Sequence, residues 1–109
     1  VILVAPPPIE ESQRLVFQKK RYGDRATGIL ERTNDNTRTY AKACCDVAAD
    51  LGVPCLDLSS LMLKDPNWPT FLSDGLHLSP AGNRFVARHL LALIDTHFPH
   101  LAVVPDPHT

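Results

Sequence analysis

Residues 1–8 read VILVAPPP, a continuous apolar run rich in β-branched residues that stops at three consecutive prolines. Such a run is typical of a strand buried on both faces, as in a parallel sheet. A second apolar segment, residues 53–58 (VPCLDL), is entered through Pro54 and has the same character. The two segments predict two β-strands, and the residues between and after them decide how those strands are connected.

Apolar spacing predicts two helices. The first runs from Asn34 or Asn36 to Leu51, and the last has Ser79 as its N-cap and Pro80 at its first position, which is a favoured pairing. Each helix carries an apolar stripe that is expected to face the core. The stripes consist of Tyr40, Cys44, Val47, Ala48 and Leu51 in the first helix, and of Phe85, Val86, Leu90, Leu93 and Ile94 in the last.

In the remaining segments, apolar residues do not recur at a regular helical or strand spacing. We predict that residues 9–33 form a long excursion with a helical turn around residues 11–18, and loops of that length often cover a binding site. A short helix over residues 61–64, capped by Ser59 or Ser60, is expected after the second strand, and a turn is expected around Trp68. The order is strand, excursion, helix, strand, loop, helix, which is the alternation of a doubly wound α/β fold.

Two strands and two long helices do not complete such a fold, because a parallel sheet needs covered faces and neighbours at its edges. Residues 1–4 would present an unpaired apolar edge. We therefore expect residues 1–98 to be the C-terminal portion of a larger domain that is completed by N-terminal sequence. Residues 99–109, which contain three prolines, are expected to be a flexible tail.

Composition narrows the possible partners. The formal net charge of −1 provides no basic field for nucleic acid or for an anionic membrane surface, and no apolar run approaches the ~20 residues of a membrane span. Three cysteines without C-x-x-C spacing indicate reduced thiols, which favours a compartment such as the cytoplasm, although localisation stays open. We expect no cofactor and no metal, because His97 and His100 lack accompanying cysteine or carboxylate ligands.

The segment with the clearest chemistry is residues 73–83, SDGLHLSPAGN. It places Asp74 three residues before His77 on a turn that Gly75 allows. A carboxylate beside one ring nitrogen fixes the tautomer of a histidine and stabilises its imidazolium form, so the histidine can take a proton from a serine hydroxyl. A structural alternative stays open, in which Asp74 forms an Asx turn and His77 is an exposed loop residue.

Residues 74–83 closely resemble the D-x-x-H segment of SGNH (GDSL-type) hydrolases, specifically those similar to isoamyl acetate-hydrolysing esterase. Residues 1–8, 31–34, 40–44 and 53–58 also look like segments of that group, so the resemblance extends from residue 1 to about residue 94. It implies a flavodoxin-like parallel sheet in a three-layer α/β/α arrangement. It also implies a Ser-His-Asp triad in which His77 is the general base and Asp74 orients it.

In this family the serine belongs to an N-terminal G-D-S segment, and the oxyanion hole uses a G-x-N-D segment. Neither segment occurs in the chain. The resemblance therefore implies that the complete protein hydrolyses short-chain carboxylic esters, such as acetate esters, through an acyl-serine intermediate, and that the isolated chain is inactive. The alternative is a truncated, non-catalytic form that binds another chain through its open sheet edge. The oligomeric state stays open.

Three residues near the motif are candidate contacts for the small-molecule ester: Trp68, Phe71 and Leu76. Trp68 and Phe71 either line an acyl or alcohol pocket beside His77 or anchor the loop. Structural roles are expected for other polar or reactive side chains, namely a core or boundary position for His89, a buried hydrogen-bonded carboxylate for Asp57 and a core position for Cys55.

Overall fold

The computed structural model describes residues 1–25, 28–30 and 32–101. Its strands are β1 (Leu3–Ala5) and β2 (Cys55–Asp57), which pair in parallel with Leu3 opposite Cys55. Both strands lie inside the predicted segments and are shorter than predicted. The second ends at Asp57 because Leu58 begins a helix. Glu31, which belongs to one of the family-like stretches, and residues 102–109 of the expected tail lie outside the described residues.

The segment after β1 was predicted as a long excursion with a helical turn around residues 11–18; the helical turn is confirmed, but it is part of a full helix, so the excursion is shorter than predicted. Helix α1 (Glu11–Tyr22) has twelve residues and continues into a 3₁₀ helix, Gly23–Arg25. Its buried positions are Arg14 and Gln18, while the apolar Val16 is 68% exposed. Because this helix buries polar side chains, it lacks the apolar stripe by which helices are recognised in a sequence.

Helix α2 (Asn34–Leu51) confirms the predicted helix, which begins after an N-cap at Thr33. It packs on both strands. The predicted stripe was wrong in its details, since α2 buries Ala41 and Ala48, whereas Tyr40, Val47 and Leu51 are exposed. Small side chains allow the helix to approach the sheet closely, and the larger apolar ones point away from the described core.

Helix α3 (Leu58–Leu63) starts earlier than the predicted short helix and has a different cap. The side chain of Asp57, rather than Ser59 or Ser60, accepts the capping hydrogen bond from the Ser60 amide at 3.2 Å. Ser59 is buried within the helix. A 3₁₀ helix, Trp68–Phe71, then occupies the predicted turn.

Helix α4 (Pro80–His97) confirms the predicted cap, because the Ser79 hydroxyl accepts a hydrogen bond from the Gly82 amide at 3.1 Å. Phe85 of its predicted apolar stripe lies in the core and Val86, Leu90 and Leu93 pack against it, which agrees with the prediction for four of the five stripe residues. A 3₁₀ helix, Pro99–Leu101, occupies the start of the expected tail.

Among the described helices, none combines the length and the apolar character needed to cross a membrane. The core cluster consists of Leu56, Leu58, Met62, Phe71 and Phe85.

Candidate active site

The turn at residues 74–77 is closed by the two oxygens of one carboxylate. Asp74 Oδ1 accepts hydrogen bonds from the amides of Leu76 at 3.0 Å and His77 at 2.8 Å. Asp74 Oδ2 lies 2.8 Å from His77 Nδ1. The same side chain therefore forms the Asx turn of the structural interpretation and contacts the imidazole.

The His77 ring stands at the tip of a small loop whose base is closed by backbone contacts. Leu72 and Leu78 form an antiparallel bridge, and the Ser73 amide donates to the His77 carbonyl at 2.9 Å. The His77 side chain is 70% exposed, whereas the Asp74 side chain is 17% exposed. With Nδ1 facing the carboxylate, the opposite ring nitrogen, Nε2, is left for a further group to approach.

Helix α1 holds the turn from one side. The Glu10 amide donates to the Gly75 carbonyl at 3.0 Å, and Gly75 adopts φ +82°. A Cβ atom at Gly75 would lie 2.5 Å from the Glu10 carbonyl oxygen and 2.6 Å from the Arg14 amide nitrogen. Glycine is required here both by the positive φ and by the close approach of the helix.

The same helix brings a cation to the carboxylate. Arg14 is 6% exposed, and its Nη1 lies 3.4 Å from Asp74 Oδ2. The guanidinium also stacks over the Phe17 ring, with its Cζ 4.5 Å from the ring centroid. Our sequence reasoning missed this residue. The sequence offered an acidic N-cap, Glu10, and the four-residue spacing of Arg14 and Gln18 as signs of a helix, but neither sign indicates that these polar side chains are buried.

Helix α4 holds the turn from the other side. The Ser79 amide donates to the Phe71 carbonyl at 2.8 Å, and the Ser79 hydroxyl donates to the Thr70 carbonyl at 2.6 Å. A Cβ atom at Gly82 would clash with the Phe71 carbonyl oxygen. The first turn of α4 is therefore packed directly on the 3₁₀ helix that precedes the loop.

The environment of Asp74 favours its ionised form. Burial raises the pKa of this carboxyl, but the hydrogen bonds from the His77 amide and ring and from the Leu76 amide outweigh that effect and lower the pKa to about 2. The carboxyl group is consequently a carboxylate throughout the neutral range. It can both accept a hydrogen bond from Nδ1–H and stabilise a positive charge on the ring.

The three candidate substrate contacts lie in different surroundings. Phe71 is in the core, with its ring centroid 4.7 Å from that of Phe85, and Trp68 packs against the same cluster. These positions match the anchoring interpretation for both residues. Leu76 lines a cavity of about 270 Å³ together with Pro6, Pro7, Ile9, Arg32, Thr37 and Tyr40.

A second cavity, of about 450 Å³, lies between α1 and the turn, and sequence reasoning did not predict it. Val16 and Phe17 supply its apolar wall, and Asp74 reaches it from the turn. Glu10 and Lys20 add charged groups to the lining. Both cavities border residues 73–76, which lie in the loop that carries His77.

The remaining side chains singled out from the sequence lie away from the turn. His89 is partly buried, with its ring 4.4 Å from that of Phe85, as expected for a boundary histidine. Asp57 is hydrogen-bonded as predicted, although it is half-buried rather than buried. Burial, followed by the neighbouring Cys45, raises the pKa of the Cys55 thiol to about 12, which does not suit a nucleophile. In the described part of the chain, no three His, Cys, Asp or Glu side chains form a metal-binding group.

Comparison with known proteins places this fold in a family. The model of the GDSL-like lipase/acylhydrolase family matches residues 13–85. A GDSL esterase/lipase of Arabidopsis thaliana is 42% identical over 79% of this chain and 36% of its own length. The isoamyl acetate-hydrolyzing esterase 1 homolog of Bos taurus is 44% identical over 87% of this chain and 36% of its own length.

A solved structure agrees with these sequence matches. The crystal structure of a lipase/acylhydrolase from Enterococcus faecalis superposes with a TM-score of 0.69 and 26% identity, covering 88% of this chain and 42% of that protein. The relatives named above are described as esterases, lipases or acylhydrolases, which are ester hydrolases. Within that class, the chain belongs to the GDSL-like lipase/acylhydrolase family, which confirms the resemblance found in the sequence. The chain spans just over a third of the length of the curated relatives named above.

Proposed function

We propose that His77 is the general base of a serine ester hydrolase and that Asp74 is the carboxylate that orients it. The observation that carries this proposal is the 2.8 Å contact between His77 Nδ1 and Asp74 Oδ2 in a ring that is otherwise 70% exposed. The depressed pKa of Asp74 supports it, because an ionised carboxylate keeps the proton on Nδ1 and leaves Nε2 free to accept one.

The reaction follows from that arrangement. His77 Nε2 takes the proton of a serine hydroxyl while the serine oxygen attacks the ester carbonyl carbon, and the carbonyl electron pair moves to the oxyanion. Collapse of this intermediate breaks the bond to the alcohol oxygen, which receives the proton from His77 and leaves an acyl-serine. Water then attacks the acyl-serine with the same proton transfers and releases the carboxylic acid.

The serine in this scheme comes from outside the present residues. The chain has no G-D-S and no G-x-N-D segment, and we propose that residues 1–98 are the C-terminal portion of an SGNH hydrolase domain. The exposed apolar side chains of Val4 on β1 and Tyr40 on α2, 48% and 70% exposed, are surfaces that such a domain would cover. We expect the isolated chain to be inactive, because it lacks both the nucleophile and the oxyanion donors.

The proposed substrates are short-chain carboxylic esters of the acetate type. Support comes from relatives described as isoamyl acetate-hydrolyzing esterase homologs. Leu76, which adjoins His77 and lines the cavity of about 270 Å³, is the proposed contact for a small acyl or alcohol group. Trp68 and Phe71 contribute by anchoring the loop from the core rather than by lining that cavity.

A non-catalytic product is the alternative. The two-stranded sheet formed by β1 and β2 favours it, because an open strand edge can pair with another chain. The transcript distinguishes the two. Sequence upstream of Val1 that encodes G-D-S and G-x-N-D segments supports the hydrolase, whereas a transcript without them supports the binding form.

The direct test is His77→Ala in the full-length protein, assayed with p-nitrophenyl acetate. We expect kcat to fall by about 10⁴-fold or more, because the serine loses its general base. His97→Ala is the matched control, since His97 is exposed at the far end of α4, and it should retain normal turnover. Near-normal kcat in His77→Ala would refute the proposal.

Asp74→Asn provides a second measurement in the same assay. We expect it to be severely impaired as well, because an amide cannot stabilise the imidazolium and can select the wrong tautomer. A loss smaller than that of His77→Ala is compatible with the proposal, since the imidazole still transfers the proton.

A further inference from the structure

The buried guanidinium of Arg14 is a permanent charge beside the carboxylate of the proposed pair. Arginine stays protonated in proteins, and its side chain is 7% exposed here. Its Nη1 lies 3.4 Å from Asp74 Oδ2, the same oxygen that contacts His77 Nδ1 at 2.8 Å. Because both side chains are largely shielded from solvent, the attraction between these two charges is screened less than that of a surface pair.

The two oxygens of Asp74 have separate partners. Oδ1 is tied to the backbone amides of Leu76 and His77, so it closes the turn. The direction of Oδ2 is then determined by the groups around it. His77 is a poor restraint because its ring is 70% exposed, whereas Arg14 is buried in a helix that is hydrogen-bonded to the turn through Glu10 and Gly75.

We propose that Arg14 is a positioning residue that holds Asp74 Oδ2 and, through it, keeps the His77 ring in the Nδ1–H tautomer. This inference rests on the proposed function of the Asp74–His77 pair. Because Arg14 is buried and meets the pair at Asp74 Oδ2, the role proposed for it is orientation. The stacking of its guanidinium on Phe17 and the contact between Gly75 and α1 fix the charge at the carboxylate.

The experiment measures kcat and KM of Arg14→Met and Arg14→Lys in the full-length protein with p-nitrophenyl acetate. For Arg14→Met we expect kcat to fall by about 10- to 100-fold with KM changed by less than about twofold, because small misplacements of a catalytic group are costly while substrate binding is untouched. Arg14→Lys should recover part of the loss, since it retains the charge. Arg21→Met, on the exposed face of the same helix, should match the wild type.

A spectroscopic measurement separates positioning from a merely structural role. ¹⁵N chemical shifts of the His77 ring should report the Nδ1–H tautomer in the wild type and a mixture of tautomers in Arg14→Met. Wild-type kcat per folded molecule with an unchanged tautomer in Arg14→Met would overturn the inference, even if the thermal midpoint falls. If Arg14→Met does not fold, Arg14→Gln, which is neutral and polar, is measured in the same way with the same expectations.

The two proposals fail differently. If His77→Ala remains active, the proposed function is wrong whatever Arg14 does. If His77→Ala is inactive while the neutral Arg14 variant keeps normal kcat and tautomer, the function stands and the role of Arg14 is wrong.

Discussion

The N-terminal ends of helices α1 and α4 both contact the region around the loop that carries His77, but the two helices bury different kinds of side chain. Helix α4 places an apolar stripe, including Phe85, in the core and brings the backbone at Gly82 against Phe71. Helix α1 buries Arg14 and Gln18 and leaves Val16 in solvent. Both helices contact the loop region through backbone and hydrogen-bond contacts, and they differ in the side chains that they bury, which are apolar in α4 and polar in α1.

The contact between α1 and Gly75 can be broken with one methyl group. We expect Gly75→Ala to lower the free energy of unfolding by about 4 kcal/mol, because strain at positive φ adds to overpacking against the backbone of Glu10 and Arg14. Gly52→Ala is the matched control, since Gly52 has φ +69° and open space around its Cβ position, and it should lose about 1 kcal/mol. Urea unfolding measures both.

Equal losses in Gly75→Ala and Gly52→Ala would contradict this expectation. They would mean that α1 yields easily and that its contact with the turn contributes little to stability.

The apolar support is tested by truncating one side chain on each helix. We expect Phe85→Ala to lower the free energy of unfolding by about 3 kcal/mol, because Phe85 is 5% exposed and packs on Phe71 and His89. Val16→Ala should change it by less than about 0.5 kcal/mol, because Val16 is 68% exposed. Thermal unfolding of the two variants compares the helices directly. A large loss in Val16→Ala would show that the outer face of α1 is covered.

The polar support is tested with pH. Asp74 has a pKa of about 2 in the folded chain and an ordinary value of 3.8, so its stabilising contribution is complete above about pH 4 and is lost as the pH falls towards 2. The loss should amount to about 2 kcal/mol, since one pKa unit corresponds to roughly 1.4 kcal/mol. Urea unfolding across this range measures it. Asp74→Asn should flatten that part of the profile, and an unchanged slope would contradict the assignment.

The parts of the fold that follow from local or apolar patterns were predictable from the sequence. The strands, α2 and α4 were of this kind, and so was the contact between Asp74 and His77, which lie three residues apart on one turn. Helix α1 was not, because its buried side chains are polar. Its contact with Asp74 joins segments distant in sequence, and a pattern of single residues carries no signal for such a pair. The outward orientation of Tyr40 on α2 could not be predicted from the sequence either, because it depends on how closely the small residues let the helix approach the sheet.

The separate partners of the two Asp74 oxygens determine when the His77 ring becomes oriented. Since one oxygen closes the backbone turn and the other meets the imidazole, the ring acquires its direction at the moment the polypeptide folds. Under the proposed function, the serine hydroxyl would meet a proton acceptor that needs no rearrangement, and the entropy of aligning that acceptor would be lost during folding rather than in each turnover.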